Sequence, residues 1–173
     1  MGFATLKPAV RKFLLHWGEL GSRWSVSRTV AQVHALLYLS PLPLNAEQLA
    51  ETLAVSRSNI SGSLRELQNW RLIRVVHVIG DRRDHFEAVQ DPWAMFAIIL
   101  EERKRRELDP IASVVRECIA EAEGSGMHAH SRKQLASLAD FVEQLCSAYT
   151  RLSTLSKPAL ARTLALRPQK RQS

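Results

Sequence analysis

Between Ser56 and Arg65 the chain reads SRSNISGSLR, short hydrogen-bonding side chains and two arginines interrupted by Ile60, Gly62 and Leu64. These residue types suit the recognition of nucleic-acid edges. Asn and Arg can each make paired hydrogen bonds to adenine and guanine in the major groove, and small hydroxyl side chains let a backbone come close. Ser56 is placed to cap a helix, which would turn free N–H groups and the positive end of the helix dipole toward a phosphate. The candidate contacts are Ser56, Arg57, Ser58, Asn59, Ser61, Ser63 and Arg65, taken as the outer face of one helix. The plainer alternative is a solvated helix face of poor propensity, in which Gly62 costs about 1 kcal/mol against alanine.

Side chains of this kind need a helix whose opposite side is buried. The stretch Asn45 to Trp70 supplies it as two short helices joined by a tight turn. Asn45 and Gln48 have the spacing of a capping box, and Leu44 and Leu49 that of a hydrophobic staple. Leu49, Ala50 and Leu53 share one face, Val55 falls in the turn, and Ile60, Leu64 and Leu67 recur at helical spacing. This is the logic of a helix-turn-helix. Leu72 to Val78 is rich in β-branched residues and runs through Ile79, Gly80, Asp81, Arg82 and Arg83 to a second extended run near His85 to Val89. A hairpin in that position is a wing, and Arg82 and Arg83 at its tip suit a minor groove or flanking phosphates. The alternative is an ordinary hairpin in which Asp81 and Asp84 neutralise them.

With the helix-turn-helix, the segments GDRRDHFEA (80–88) and DPWAMFAIILEERKRRELDP (91–110) make the chain resemble the GbsR branch of the MarR-type winged-helix transcriptional regulators. The similarity covers approximately residues 8 to 123, and the wing-to-helix stretch is its most specific part. It implies a bacterial homodimer that binds double-stranded operator DNA, with helix 56–70 and wing 72–89 as the recognition elements.

The 173 residues suit one domain, and 46% hydrophobic content is enough for a sizeable core. The net charge of +7 fits a polyanionic partner, but it is unevenly placed. Residues 41–90 carry six Lys or Arg against six acids, whereas residues 128–173 carry eight against two. The DNA reading therefore requires Glu47 and Glu51 to lie away from DNA, leaving Arg57, Arg65, Arg82 and Arg83 to meet it. No apolar run reaches the ~18 residues of a membrane span, and no signal pattern opens the chain. The expectation is a cytoplasmic, nucleoid-associated protein with no membrane partner. Cys118 and Cys146 are expected as buried thiols, and His128 and His130 as exposed residues at a helix start rather than metal ligands. No catalytic constellation, metal site or cofactor motif emerges.

In chain order, Val10, Phe13, Leu14 and Trp17 mark an amphipathic first helix, after which Gly18 and Gly21 loosen the chain. Ser27 starts a second helix, ended by Pro41 and Pro43. Trp17, Trp24 and Tyr38 are a candidate aromatic cage for a cationic effector of unidentified structure, with core packing the commoner use of such residues. After the wing, Asp91 and Pro92 open a helix bearing the solvated charge run EERKRRE, and Asp109 and Pro110 predict a kink or restart. The last helix, His128 to Ser156, carries Leu135, Leu138, Val142, Leu145, Tyr149 and Leu152 in heptad spacing beside Phe141, Ala148 and Leu155. That face suits a dimer, or else folds back on its own subunit.

The expected fold is mainly α with a small β-wing, a winged helix-turn-helix with long N- and C-terminal dimerisation helices. Its regions are a dimerisation helix (1–27), the winged helix-turn-helix (28–90), dimerisation and effector helices (91–156) and a mobile basic tail (157–173). The function this predicts is a homodimeric, DNA-binding transcriptional repressor and not an enzyme. The alternative is a winged-helix protein-interaction module without sequence-specific DNA binding.

Overall fold

A computed structural model describes residues 6–122 and 126–155, with Phe3 and Ala159 standing alone. The chain forms two units, Met1–Met95 and Phe96–Ser173.

In the first unit, proline at the first turn and the apolar row Phe13, Leu14 and Trp17 produce α1 (Pro8–Arg23). This helix runs through Gly18 and Gly21 instead of loosening there, and α2 (Arg28–Leu39) shows why both are glycine. A Cβ on Gly21 would lie 2.5 Å from the Ala31 Cβ, and one on Gly18 would lie 2.9 Å from the Gln32 Cγ. The glycines let two helices approach closely. Ser27 caps α2, accepting the Val30 N–H at 3.1 Å, and the helix is buried from Val30 to Leu37 except at Gln32.

α2 is the post on which the helix-turn-helix is mounted, packing against α1, α3 (Ala46–Leu53), α4 (Arg57–Asn69) and the sheet. The capping box of α3 is formed in both directions: Gln48 N–H donates to Asn45 Oδ1 at 3.0 Å, and Asn45 N–H donates to Gln48 Oε1 at 2.9 Å. Ala54 ends α3 in the left-handed region at φ 54°, and Ser56 then caps α4. Ile60, Leu64 and Leu67 of α4 join Leu14, Val33, Leu37 and Leu49 in the core. The wing strands β2 (Ile73–Val76) and β3 (His85–Ala88) pair antiparallel, with Val75 opposite Phe86. A strand that sequence patterning misses, β1 (Leu44–Asn45), pairs with the other side of β3 and gives the order β1-β3-β2. Two residues are too few to carry an alternating pattern, yet they tie the wing to the start of α3.

Asp91 initiates α5 (Pro92–Arg103), accepting the Trp93 N–H at 3.3 Å. In the second unit, the restart expected near Pro110 takes the form of a π-helical stretch, Lys104–Leu108, before α6 (Asp109–Ala122). Pro110 has no N–H and its ring crowds the carbonyl four residues back, so widening the preceding turn relieves the clash. The Asp109 N–H accordingly donates to the Lys104 carbonyl, five residues away. The charge run is not uniformly solvated: Glu102 is 4% exposed and binds Arg105 at 2.6 Å and Arg106 at 3.4 Å. α7 (Ala129–Thr154) starts on His128, whose Nδ1 accepts the His130 N–H at 3.2 Å, and it packs on α6 and the π-helical stretch. Cys118 and Cys146 are half-buried rather than buried. The basic tail expected from Lys157 lies outside the described residues except for Ala159.

One buried polar group deserves a test. His34 on α2 is 4% exposed, sits between the rings of Trp17 and Tyr38, and its Nε2 finds no hydrogen-bond partner among the described residues. Burial lowers its pKa from 6.5 to about 4. The unfolded chain therefore binds this proton more readily than the native one, so the stability is intact above pH 6.5 and is lost as pH falls through the interval to 4. The loss attributable to His34 is on the order of 3 kcal/mol. Urea unfolding between pH 7 and 4 should show this slope, and His34→Leu should flatten it; an unchanged slope in the variant would assign the acid sensitivity elsewhere.

Candidate nucleic-acid interface

The burial of Ile60, Leu64 and Leu67 fixes which side of α4 faces out. Arg57, Ser58, Asn59, Ser61 and Arg65 are exposed on it, and Ser56 is exposed at its cap. Ser56 Oγ accepts the Asn59 N–H at 3.4 Å and lies 3.1 Å from Ser58 Oγ, so its hydroxyl is engaged in starting the helix. Ser63 must be removed from the predicted outer face. It is 4% exposed and its hydroxyl donates to the Asn59 carbonyl at 2.8 Å, satisfied within its own helix. Three residues after Ile60, it falls on the same buried side.

Gly62 lies on the exposed side, and nothing among the described residues stands within 4 Å of the place a Cβ would take. Packing within the subunit therefore does not require a glycine at this position. Ala54 presents the opposite case, a residue with a Cβ where the backbone is left-handed.

A cleft of about 460 Å³ lies between the first turn of α3, the outer face of α4 and the wing, walled by Glu47, Arg57, Ser61, Arg65, Gln68 and Arg83. The sequence reading requires Glu47 to lie away from this surface, and it does not. Glu47 Oε1 is hydrogen-bonded to Arg57 Nη2, and its Oε2 lies 3.1 Å from Arg83 Nη1. Arg83 is held on its other side by Asp81, with Nη2 at 2.6 Å from Oδ2 and Nε at 2.9 Å from Oδ1. The side-chain hydrogen bond from Arg83 is the main reason the Asp81 carboxyl stays well below the usual carboxylate range, and the same contact raises the guanidinium pKa. Glu51 has no such position in the cleft. Arg65 and Arg82 are exposed with no ion-pair partner among the described residues.

Glu47 is thus the member of this site that sequence reasoning misplaced. At the second position of α3 it looks like an ordinary acid favoured by a helix N-terminus. Its link to Arg83, 36 residues away, becomes visible once β1 has joined the wing to α3.

Of the candidate effector aromatics, Trp17 and Tyr38 flank His34 and Trp24 lies at the end of α1. Trp17 stacks on Phe13 with centroids 5.2 Å apart and meets His34 on another side, Tyr38 meets His34, and Trp24 is 51% exposed at the end of α1. The described residues contain no group of three or more His, Cys, Asp or Glu able to hold a metal ion, and no helix among them is long and apolar enough to cross a membrane.

These elements define a winged helix-turn-helix: a capped two-helix unit, a hairpin following the second helix, and a third short strand closing the sheet. The model of the MarR family matches residues 24–84, which run from the end of α1 to the wing tip. The fold is similar to that in the crystal structure of a transcriptional regulator, with a TM-score of 0.66 and 19% identity over 91% of this chain and 99% of that one. No curated protein matches.

Two substitutions separate the needs of the helix-turn-helix as a folded unit from those of its outer surface. Gly62→Ala should raise stability by roughly 0.5–1 kcal/mol through helix propensity, and Ala54→Gly should also stabilise, by up to about 1 kcal/mol, by relieving the left-handed backbone. Thermal or urea melts measure both. A destabilising Gly62→Ala would show that a contact within the subunit needs the glycine.

Proposed function

We propose that this chain is a homodimeric, sequence-specific DNA-binding transcription regulator of the MarR type, acting as a repressor, and that α4 and the wing are its recognition elements. The observation that carries the proposal is the outer face of α4: small polar side chains, an open glycine and arginines on a helix whose other side is anchored in the core. Such a face offers base-edge hydrogen bonds without bulk that would hold the helix out of a major groove. The family match over residues 24–84 supports the same assignment. Placement in the GbsR branch rests on the likeness of the wing-to-helix segment at 80–110.

Arg57, Asn59 and Ser61 are assigned to base edges, Arg65 and Arg82 to phosphates, and Ser56 and Ser58 to positioning at the helix start. Dimerisation is assigned to α1 and the late helices, since α6 and α7 expose Ile111, Val114, Leu138 and Phe141. A small effector would act by changing the distance between the two recognition helices of a dimer, because a dimer that no longer matches both grooves loses most of its specific affinity.

One observation favours a second reading. Arg57 and Arg83 are already paired with acids, as they would be in a module that docks on a protein.

Fluorescence anisotropy against the chain's own upstream DNA and a scrambled duplex, across a salt series, separates the two. A regulator prefers the upstream fragment at moderate salt; equal, salt-fragile binding to both sinks the assignment. Given specific binding, Asn59→Ala should cost about 1–3 kcal/mol of discrimination at one base position, whereas Arg82→Ala should weaken all duplexes and flatten the salt slope by about 0.9. A further outcome concerns assembly: Val114→Asp combined with Phe141→Asp should give monomers by light scattering and lose most of the specific affinity. A variant that remained dimeric would place the interface elsewhere.

A further inference from the structure

We infer that Glu47 is a specificity-determining residue, an internal stand-in for phosphate that suppresses sequence-independent binding. The inference rests on the DNA-binding reading above and concerns the same cleft. A carboxylate and a phosphate diester present the same feature to guanidinium groups, a pair of anionic oxygens that accept charge-assisted hydrogen bonds. Glu47 uses both of its oxygens in this way, one on Arg57 of the recognition helix and the other on Arg83 of the wing, two cations that a passing duplex backbone would otherwise engage.

The local charge balance gives the contact its consequence. Asp81 also holds Arg83, so two guanidinium groups meet two carboxylates and the cluster is neutral. A phosphate entering the cleft must displace Glu47 or lie beside it. Sequence-independent affinity comes almost entirely from Lys and Arg releasing counterions at phosphates, so it falls back on cations such as Arg65 and Arg82. A cognate site, by contrast, adds base-edge contacts that can compensate for parting Glu47 from its arginines.

Stability does not account for the arrangement. Glu47, Arg57 and Arg83 have side chains 44%, 76% and 56% exposed, and solvated pairs of this kind contribute little to folding. Asp81 differs: it accepts the Arg83 backbone N–H at 3.0 Å and so shapes the hairpin tip, whereas Glu47 reaches in from another element.

The test compares the full-length protein with Glu47→Gln, which keeps size and polarity and removes the charge. Anisotropy is read on the upstream fragment and on a scrambled duplex across a salt series, with a thermal melt to confirm folding. Glu47→Gln should bind the scrambled duplex roughly tenfold more tightly at low salt, with a slope steeper by about 0.9 for each phosphate newly engaged, while the upstream fragment gains less and the specificity ratio falls. Adding Arg83→Gln to Glu47→Gln should cancel most of the gain, which ties it to the freed guanidinium. Unchanged scrambled binding and slope would overturn the inference. So would loss of upstream binding alone, which would make Glu47 a direct reader of a cytosine amino group. A parent protein with no preference for the upstream fragment would overturn both this inference and the DNA-binding reading, whereas a specific parent with an unresponsive variant overturns this one only.

Discussion

The burial of one side of α4 is the constraint on which the rest of the first unit depends. Ile60, Leu64 and Leu67 lock the helix against α2, itself enclosed by α1, α3 and the sheet. With that row fixed, helical geometry decides every other position: Arg57, Ser58, Asn59, Ser61 and Arg65 must face outward, and Ser63 must turn in. The close seam at Gly18 and Gly21 belongs to the same chain of support, because it holds α1 against α2 and thereby holds the post to which α4 is attached. A displacement of one residue in α4 would turn its apolar row by about 100° and bury the arginines, so the apolar pattern sets the outer surface of α4 as firmly as its polar residues do.

Several local rules for stability are broken around this face. Ala54 takes a backbone conformation better suited to glycine, Gly62 weakens a helix without an internal packing reason, and Arg65 and Arg82 stand without ionic partners among the described residues. Such departures are expected where a surface is shaped by something outside the subunit. The Glu47 contacts join the same region in the opposite sense, compensating Arg57 and Arg83. The candidate surface thus combines two cations with no ionic partner among the described residues and two that are restrained.

Much of this was legible in the sequence because the signals are local. The capping box at Asn45, the caps at Ser27, Ser56 and Asp91, and the spacing of Ile60, Leu64 and Leu67 depend on residues three or four apart, and each appears where the pattern puts it. What was not legible depends on distance in the chain. β1 is too short for a pattern, and without it nothing brings Glu47 near Arg83. The glycines of α1 read as a loosened segment because Ala31 and Gln32, the residues that require them, belong to the next helix. Ser63 departs from the expectation for a different reason: its chemistry matches that of its exposed neighbours, but its position, three residues after a buried isoleucine, turns it inward. Glu102 shows the same conflict between type and place, a charge in a charged run that is nonetheless buried beside two arginines.

On the proposed reading as a dimeric DNA-binding regulator, the arithmetic of recognition gives the second unit a bearing on the first. One recognition helix reaches only a few base pairs, and each well-placed bidentate contact contributes about 1–3 kcal/mol of discrimination. A regulator that must find its site among genomic competitors needs on the order of 4–10 kcal/mol, more than one such helix readily provides. Two copies related by a two-fold axis double the contacts and add a spacing requirement, which itself excludes most sequences. α7 supplies a surface appropriate to that need: Val142 is buried within the unit, but Leu138 and Phe141 beside it are 44% and 60% exposed, alongside Ile111 and Val114 at 47% and 56% on α6. A neutral recognition region and a weakly attractive wing would be handicaps for a monomer that relied on phosphate attraction. In a dimer they are advantages, since doubling also doubles every sequence-independent contact, and discrimination improves only if those contacts are kept weak.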